Sequence, residues 1–431
     1  LTAVLLKILP ADKLGGTIRV PGDKSISHRA VMLGALAEGT TEIEGFLFGK
    51  DCLSTVRCFR SLGVQVGVKD GLVTVRGKGL YGLREPASVL NVGNSGTTIR
   101  LLSGILAGQP FTSVLTGDGS IRRRPMGRVT RPLREMGAVI LGREDGNLAP
   151  LCIKGGRLKP FSYRSPVASA QVKSALLLAG LFGDGWTEVS EPASSRNHTE
   201  LMLSSFGARV ETDGSRVRVK GGPVLRAQNV VVPGDISSAA FFIVAALIVP
   251  GSKVVIESVG LNPTRDGIIE VLQAMGAKIR VVNKKAAAGE VMGDLEIESS
   301  ELSGVKVGGE IIPRLIDEIP ALAVAALFAG GVTEIRDAAE LKVKESNRIA
   351  AIGEGLSRLG GRVEELPDGL RIWGGRRLRG ATCQSRRDHR IAMALAVAGL
   401  RAEGETIIEN AEAISVSYPD FIDTIERLRG E

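Results

Sequence analysis

The sequence predicts an α/β protein of two domains, assembled from six copies of a single βαβαββ unit. Three observations lead there. A pattern of about 65 to 85 residues recurs along the chain, pairing apolar helices with short β-rich runs. The segment PGDKSIS at Pro21 returns about 210 residues later, nearly unchanged, as PGDISSA at Pro233, which marks two equivalent crossings. The chain also opens with extended runs that the sixth copy lacks at its end.

Each unit begins with a polar motif and then an apolar helix. Those helices follow Ser25, Asn94, Ser169, Asp235, Asp317 and Asp388, residue types whose short side chains cap free backbone N–H groups. Bodies such as AVMLGALAEG, SALLLAGLFG, AAFFIVAALIV and IAMALAVAGL are apolar nearly all round, so burial is expected. Strands come next: TTEIEGF, FTSVLTG, WTEVSEP, SKVVIES, VTEIRDA and ETIIENA. A second, amphipathic helix then stops at Gly63, Gly137, Gly207, Gly276, Gly360 or Gly430, where a left-handed C-terminal cap is expected. Hairpins close the units, several on an Asp-Gly turn, as in VQVGVKDGLVTVRG and RVETDGSRVRVKG.

After Gly430 no hairpin remains to be formed. The N-terminal runs at 4–9 and 17–20 are therefore expected to pair as a hairpin that completes the last unit. One domain is then 22–232. The other combines 1–21 with 233–431, and the two crossing strands form a hinge on which the domains close over a cleft holding the active site.

Composition narrows the function. The 431 residues are 44% hydrophobic and 24% charged, ordinary globular proportions. Aromatics are only 4%, too few for the stacking platforms of a single-strand nucleic-acid binder. The longest apolar run, 239–250, is a core helix rather than a membrane span. The first nine residues lack a basic n-region, so no leader is expected. Four scattered cysteines without a CxxC pair and only three histidines argue against a disulfide framework or a metal centre, and fit a reducing cytoplasm. The net charge of +8 favours anionic partners.

Lysines and arginines gather at the helix starts: PGDKSISHR, NSGTTIR, SIRRRPMG, SAQVKS, SSRNHTE, KESNR and RRDHR. Singly, each reads as a solvated loop or a cap. Jointly, at equivalent places in a repeat, they read as an anion site, because helix N-termini already offer N–H donors and partial positive charge. Two phosphorylated acids meeting in one cleft would repel, and planar guanidinium forks offset that repulsion. The acids among these cations, Asp317, Glu345 and Asp388, are candidate proton carriers. No P-loop or GxSxG motif occurs, which leaves acid–base chemistry on anionic substrates, with no cofactor expected.

The set PGDKSISHR, NSGTTIR, RRRPMG, SAQVKSALLLAG, SSRNHTE, PGDISSAAFF, LIDEIP, KESNRI, DHRIAMALA and SYPDF resembles the EPSP synthase family of enolpyruvyl transferases, in its more divergent bacterial branch. The resemblance runs from about residue 17 to 421 in family order. It implies a two-domain inside-out α/β barrel with three βαβαββ units per domain. It also implies transfer of the enolpyruvyl group of phosphoenolpyruvate to shikimate 3-phosphate, in the shikimate pathway that leads to chorismate and the aromatic amino acids. By the same resemblance, shikimate 3-phosphate meets Lys24, Ser25, Arg29, Ser169, Gln171, Arg196, Asp317 and Lys344. Phosphoenolpyruvate meets Lys24, Asn94, Gly96, Arg124, Gln171, Arg348 and Arg390. Asp317 and Glu345 are the implied base and acid, with Lys24 beside them. A monomer and inhibition by glyphosate are implied as well.

Two positions depart from the family pattern. Val416 stands where better-known members carry a lysine, and Asn347 where KES is commonly followed by Asp. Two rivals are weighed against this reading. The sister transferase acting on UDP-N-acetylglucosamine usually has a cysteine where this chain has Gly119, five residues before Arg124. A basic nucleic-acid-binding protein would not intersperse acids among its cations and would carry more aromatics.

Overall fold

The structure, a computed structural model, describes residues 4–287 and 289–430. Residues 1–3 of the expected N-terminal run lie outside the described residues. The chain forms two compact units. Unit 1 comprises Leu1–Pro21, Pro233–Lys285 and Val291–Glu431; unit 2 comprises Gly22–Val232 and Ala286–Glu290. Each has its own apolar core.

Unit 2 holds three four-stranded sheets of one topology. In the first, Asn229–Val231 runs parallel to Glu38–Glu44, which is antiparallel to Leu72–Lys78, itself antiparallel to Gln65–Lys69. The same order recurs around Thr112–Thr116 and around Trp186–Ser190. Each sheet is preceded by a helix that is buried nearly throughout: Lys24–Leu36, Gly96–Ala107 and Ala170–Gly180. The strands alternate exposed and buried residues, so one face of each sheet covers the helices and the other meets water. The arrangement is helices inside and sheets outside.

Unit 1 repeats this plan. All thirteen residues of Ile236–Ile248 are buried, as are Ile319–Leu327 and His389–Gly399. Phe242 packs on Tyr418 and Phe421 with ring centroids 5.5 and 5.2 Å apart. Two of its sheets have four strands and the third has three.

The three-stranded sheet corrects one expectation. Leu5–Ile8 pairs antiparallel with Thr406–Glu409, but Gly15–Arg19 runs parallel to Lys253–Gly260 in a different sheet. The two N-terminal strands are therefore not a hairpin. The segment joining them is tied off on the way, Ala11 donating its N–H to the Leu400 carbonyl (2.9 Å) and Leu14 to Ser252 Oγ (2.8 Å). Two nearby extended runs mimic a hairpin in sequence, whereas each strand has a longer-range partner.

The six glycines at the ends of the second helices all have positive φ, between 81° and 113°. Helix starts differ by one or two residues in three places. Asp23, not Ser25, caps the first helix by accepting from the Ile26 N–H, and Ser95, not Asn94, caps the second through the Thr98 N–H. At the fifth, Glu318 follows Asp317 into the cap position.

Candidate active site

In unit 1 the candidate residues gather around one guanidinium. Arg348 is the first residue of the helix Arg348–Arg358 and is 1% exposed. Its Nε donates to Asp388 Oδ2 (2.9 Å), Nη1 to Asp317 Oδ1 (3.2 Å) and Nη2 to Glu345 Oε2 (2.5 Å). Burial alone would lower its pKa; Asp388, Glu345 and Asp317 overcome this and hold it above the ordinary value. Three segments thus deliver carboxylates to one fixed cation: the turn before Ile319–Leu327, the turn before Arg348, and the start of His389–Gly399. Lys344 Nζ lies 3.9 Å from Asp317 Oδ1 and 3.1 Å from Glu340 Oε1. Arg390 donates Nη1 to the Asp317 carbonyl at 3.1 Å. Asn347 caps the Arg348 helix by accepting from the Ala350 N–H (3.3 Å), which explains how Asn serves where Asp is common.

In unit 2 two of the buried helices are tied together near their starts. Arg100 Nη1 donates to Gln171 Oε1 (2.5 Å), and Gln171 Nε2 to Thr97 Oγ1 (3.2 Å), joining two helix starts. Arg124 donates to Asn94 Oδ1 (2.9 Å) and Ser120 Oγ (3.1 Å), while Asn94 donates to Asp118 (2.6 Å). A Cβ on Gly96 would stand 3.1 Å from Nη1 of both Arg100 and Arg124. Two guanidinium groups therefore crowd one bare backbone position, a concentration of positive charge that favours anions. Arg100, 6% exposed, was not singled out from sequence. Its signal was its place one helical turn after Gly96, on the same face.

Lys24 pairs with Asp51 at 3.2 Å. Arg29 is buried, donating Nε to Thr199 Oγ1 (2.6 Å), Nη2 to Ser174 Oγ (2.8 Å) and Nη1 to the Ser25 carbonyl (2.9 Å). Burial pulls its pKa down to about 10, with Glu200 and Asp23 opposing, so it stays charged near neutrality. Ser169, at the cap position of Ala170–Gly180, makes no side-chain cap bond. Arg196 is half-buried in the turn before His198–Ser205. Val416, half-buried, ends the turn Ala411–Val416.

Two of the three histidines make buried side-chain contacts. His28 is fully buried with Nδ1 2.6 Å from Thr55 Oγ1; burial, then Lys24 and Arg29, hold its pKa well below 6.5. His198 pairs with Glu290 at 2.7 Å. Among the described residues, no group of three or more His, Cys, Asp or Glu is placed to hold a metal ion. Among the described residues, no helix is long and apolar enough to cross a membrane.

Comparison with known proteins bears on this arrangement directly. Residues 8–425 match the family described as EPSP synthase (3-phosphoshikimate 1-carboxyvinyltransferase). The chain belongs to the EPSP synthase family. A 3-phosphoshikimate 1-carboxyvinyltransferase of Desulforamulus reducens is 59% identical over 98% of this chain and 99% of its own length. Its namesake from Pelotomaculum thermopropionicum is 62% identical over 96% of each. An EPSP synthase structure from Acinetobacter baumannii superposes with a TM-score of 0.90 at 47% identity, covering 99% of this chain and 98% of the other. As an EPSP synthase family member the chain is a transferase of the shikimate pathway, with the two-domain inside-out α/β fold of that family. The match selects the shikimate reading over the UDP-sugar and nucleic-acid rivals.

Proposed function

We propose that the chain joins phosphoenolpyruvate to the 5-hydroxyl of shikimate 3-phosphate, with both substrates held by its cationic motifs. Asp317 takes the proton from the 5-hydroxyl as its oxygen attacks C2 of the enol. Glu345 delivers a proton to the methylene carbon, giving a tetrahedral ketal phosphate. Loss of a proton from the new methyl group then expels phosphate and restores the double bond.

The observation that carries this reading is the clamp of Arg348 on Asp317 and Glu345. It fixes two carboxylates on separate nitrogens of one buried cation, so base and acid are oriented before substrate arrives. Shikimate 3-phosphate is assigned to Lys24, Ser25, Arg29, Ser169, Gln171, Arg196 and Lys344 beside Asp317. Phosphoenolpyruvate is assigned to Lys24, Asn94, Gly96, Arg124, Gln171 and Arg390, with Arg348 exchanging a carboxylate contact for substrate. The bare backbone at Gly96 leaves room for glyphosate, a slightly longer anion, and inhibition is expected at millimolar concentration. A monomer acting in the cytoplasm fits the four free cysteines.

The test is phosphate release that requires both substrates. Asp317→Ala and Glu345→Ala are each expected to lose most of kcat; near wild-type turnover in either would overturn that residue's role.

A further inference from the structure

Five of the six buried first helices have Ser, Asp or a paired Ser/Asp type at the cap position, and four of those caps are used conventionally. The side chains of Asp23, Ser95, Asp235 and Asp388 each accept a hydrogen bond from their own helix. Ser169 does not: its hydroxyl makes no cap bond. Its backbone N–H is held instead by Glu191 Oε1 at 2.6 Å, a residue 22 positions further on. In a capping box the third helical residue supplies that acceptor. Here that residue is Val172, which cannot, and a carboxylate from the end of the strand Trp186–Ser190 takes its place.

Glu191 reaches a second segment with its other oxygen. Oε2 accepts from Ser195 Oγ at 2.7 Å and pairs with Lys173 Nζ at 3.0 Å. Lys173 donates in turn to the Ser195 carbonyl (3.2 Å) and pairs with Glu200 at 2.8 Å. The side chains of Glu191, Lys173 and Glu200 are 1%, 3% and 4% exposed. A buried ion network thus fastens Ser169 and the neighbour of Arg196 to one carboxylate.

We infer that Glu191 is a positioning residue for shikimate 3-phosphate, holding Ser169 with its hydroxyl unspent and the Arg196 turn in register for the ligand's phosphate. The inference rests on the assignment of Ser169 and Arg196 to that ligand. Glu191 itself does not touch substrate: as an anion it would repel the phosphate, and its two oxygens are already occupied by protein donors. Its charge holds Lys173 in place, and Lys173 in turn anchors the Ser195 carbonyl.

The test separates binding of the two substrates. Glu191→Gln keeps the shape but sets an amide against the Lys173 ammonium. It is expected to raise KM for shikimate 3-phosphate, and its dissociation constant by calorimetry without phosphoenolpyruvate, roughly tenfold. KM for phosphoenolpyruvate should stay within about threefold of wild type, since uniform binding of one substrate is what is lost. Ser195→Ala removes one tether while leaving every charge in place, and should raise the same shikimate 3-phosphate constants by about threefold; it carries the test if Glu191→Gln does not fold. Lower thermal stability with both KM values unchanged, or both rising together, would overturn the inference. Ser169→Ala and Arg196→Ala are the controls for the underlying assignment. If neither weakens shikimate 3-phosphate binding, the site reading itself is wrong; if both do and the Glu191 and Ser195 variants do not, only the positioning role falls.

Discussion

At the scale of single residues, Arg348 has the most to lose. It is enclosed and faces three carboxylates, of which Asp388 has a fully buried side chain. Arg348→Met would strand that charge, and removing one partner of a buried pair costs about 3–5 kcal/mol. A clear fall in the urea midpoint of unfolding, together with lost turnover, is the expected outcome. Gly96→Ala would press a methyl against Arg100 and Arg124 at 3.1 Å. Those guanidinium tips can give way, so folding should persist while KM for phosphoenolpyruvate rises; an unchanged KM would remove Gly96 from the site. His28 predicts a pH effect. Its folded pKa lies below the unfolded 6.5, so the unfolded chain binds the extra proton as pH falls past that value. Stability is present above about pH 6.5 and declines below it, and His28→Gln should flatten that part of the slope in denaturation curves taken from about pH 7 to about pH 5.

At the scale of elements, local rules carried far. Glycine caps, Asp-Gly turns and the apolar helices are short-range properties, and all six glycine caps have the left-handed backbone that their sequence context required. The short offsets at Asp23 and Ser95 arise because several capping types stand close together, and only the backbone angle decides between them. Glu191, Arg100 and the threefold donation of Arg29 were not legible, since each depends on a partner tens of residues away. The site motifs were legible because they cluster at helix starts; which side chains hold ligand and which hold one another was not. Asn347 offers an element-scale check. Asn347→Ala should destabilise the Arg348 helix by about 1 kcal/mol, as lost N-caps do. Because that helix carries Arg348 in its first turn, kcat should fall as well; loss of stability alone would mean the cap does not govern the clamp.

At the scale of the whole molecule, the two units differ in how far apart in sequence their paired strands lie. Every strand of the three sheets of unit 2 comes from within residues 22–232. That segment expressed alone is expected to show a cooperative urea transition and native-like far-ultraviolet dichroism, without Ala286–Glu290; a non-cooperative transition would show that it depends on the rest of the chain. Unit 1 is different, because Leu5–Ile8 finds its partner only at Thr406–Glu409. On a ribosome, residues 22–232 would all be made, and free to fold, well before Thr406–Glu409 emerged, as domains fold when their last strand emerges. Leu5–Ile8 would be among the last strands to be seated, its unpaired edge waiting for the strand beside which it belongs.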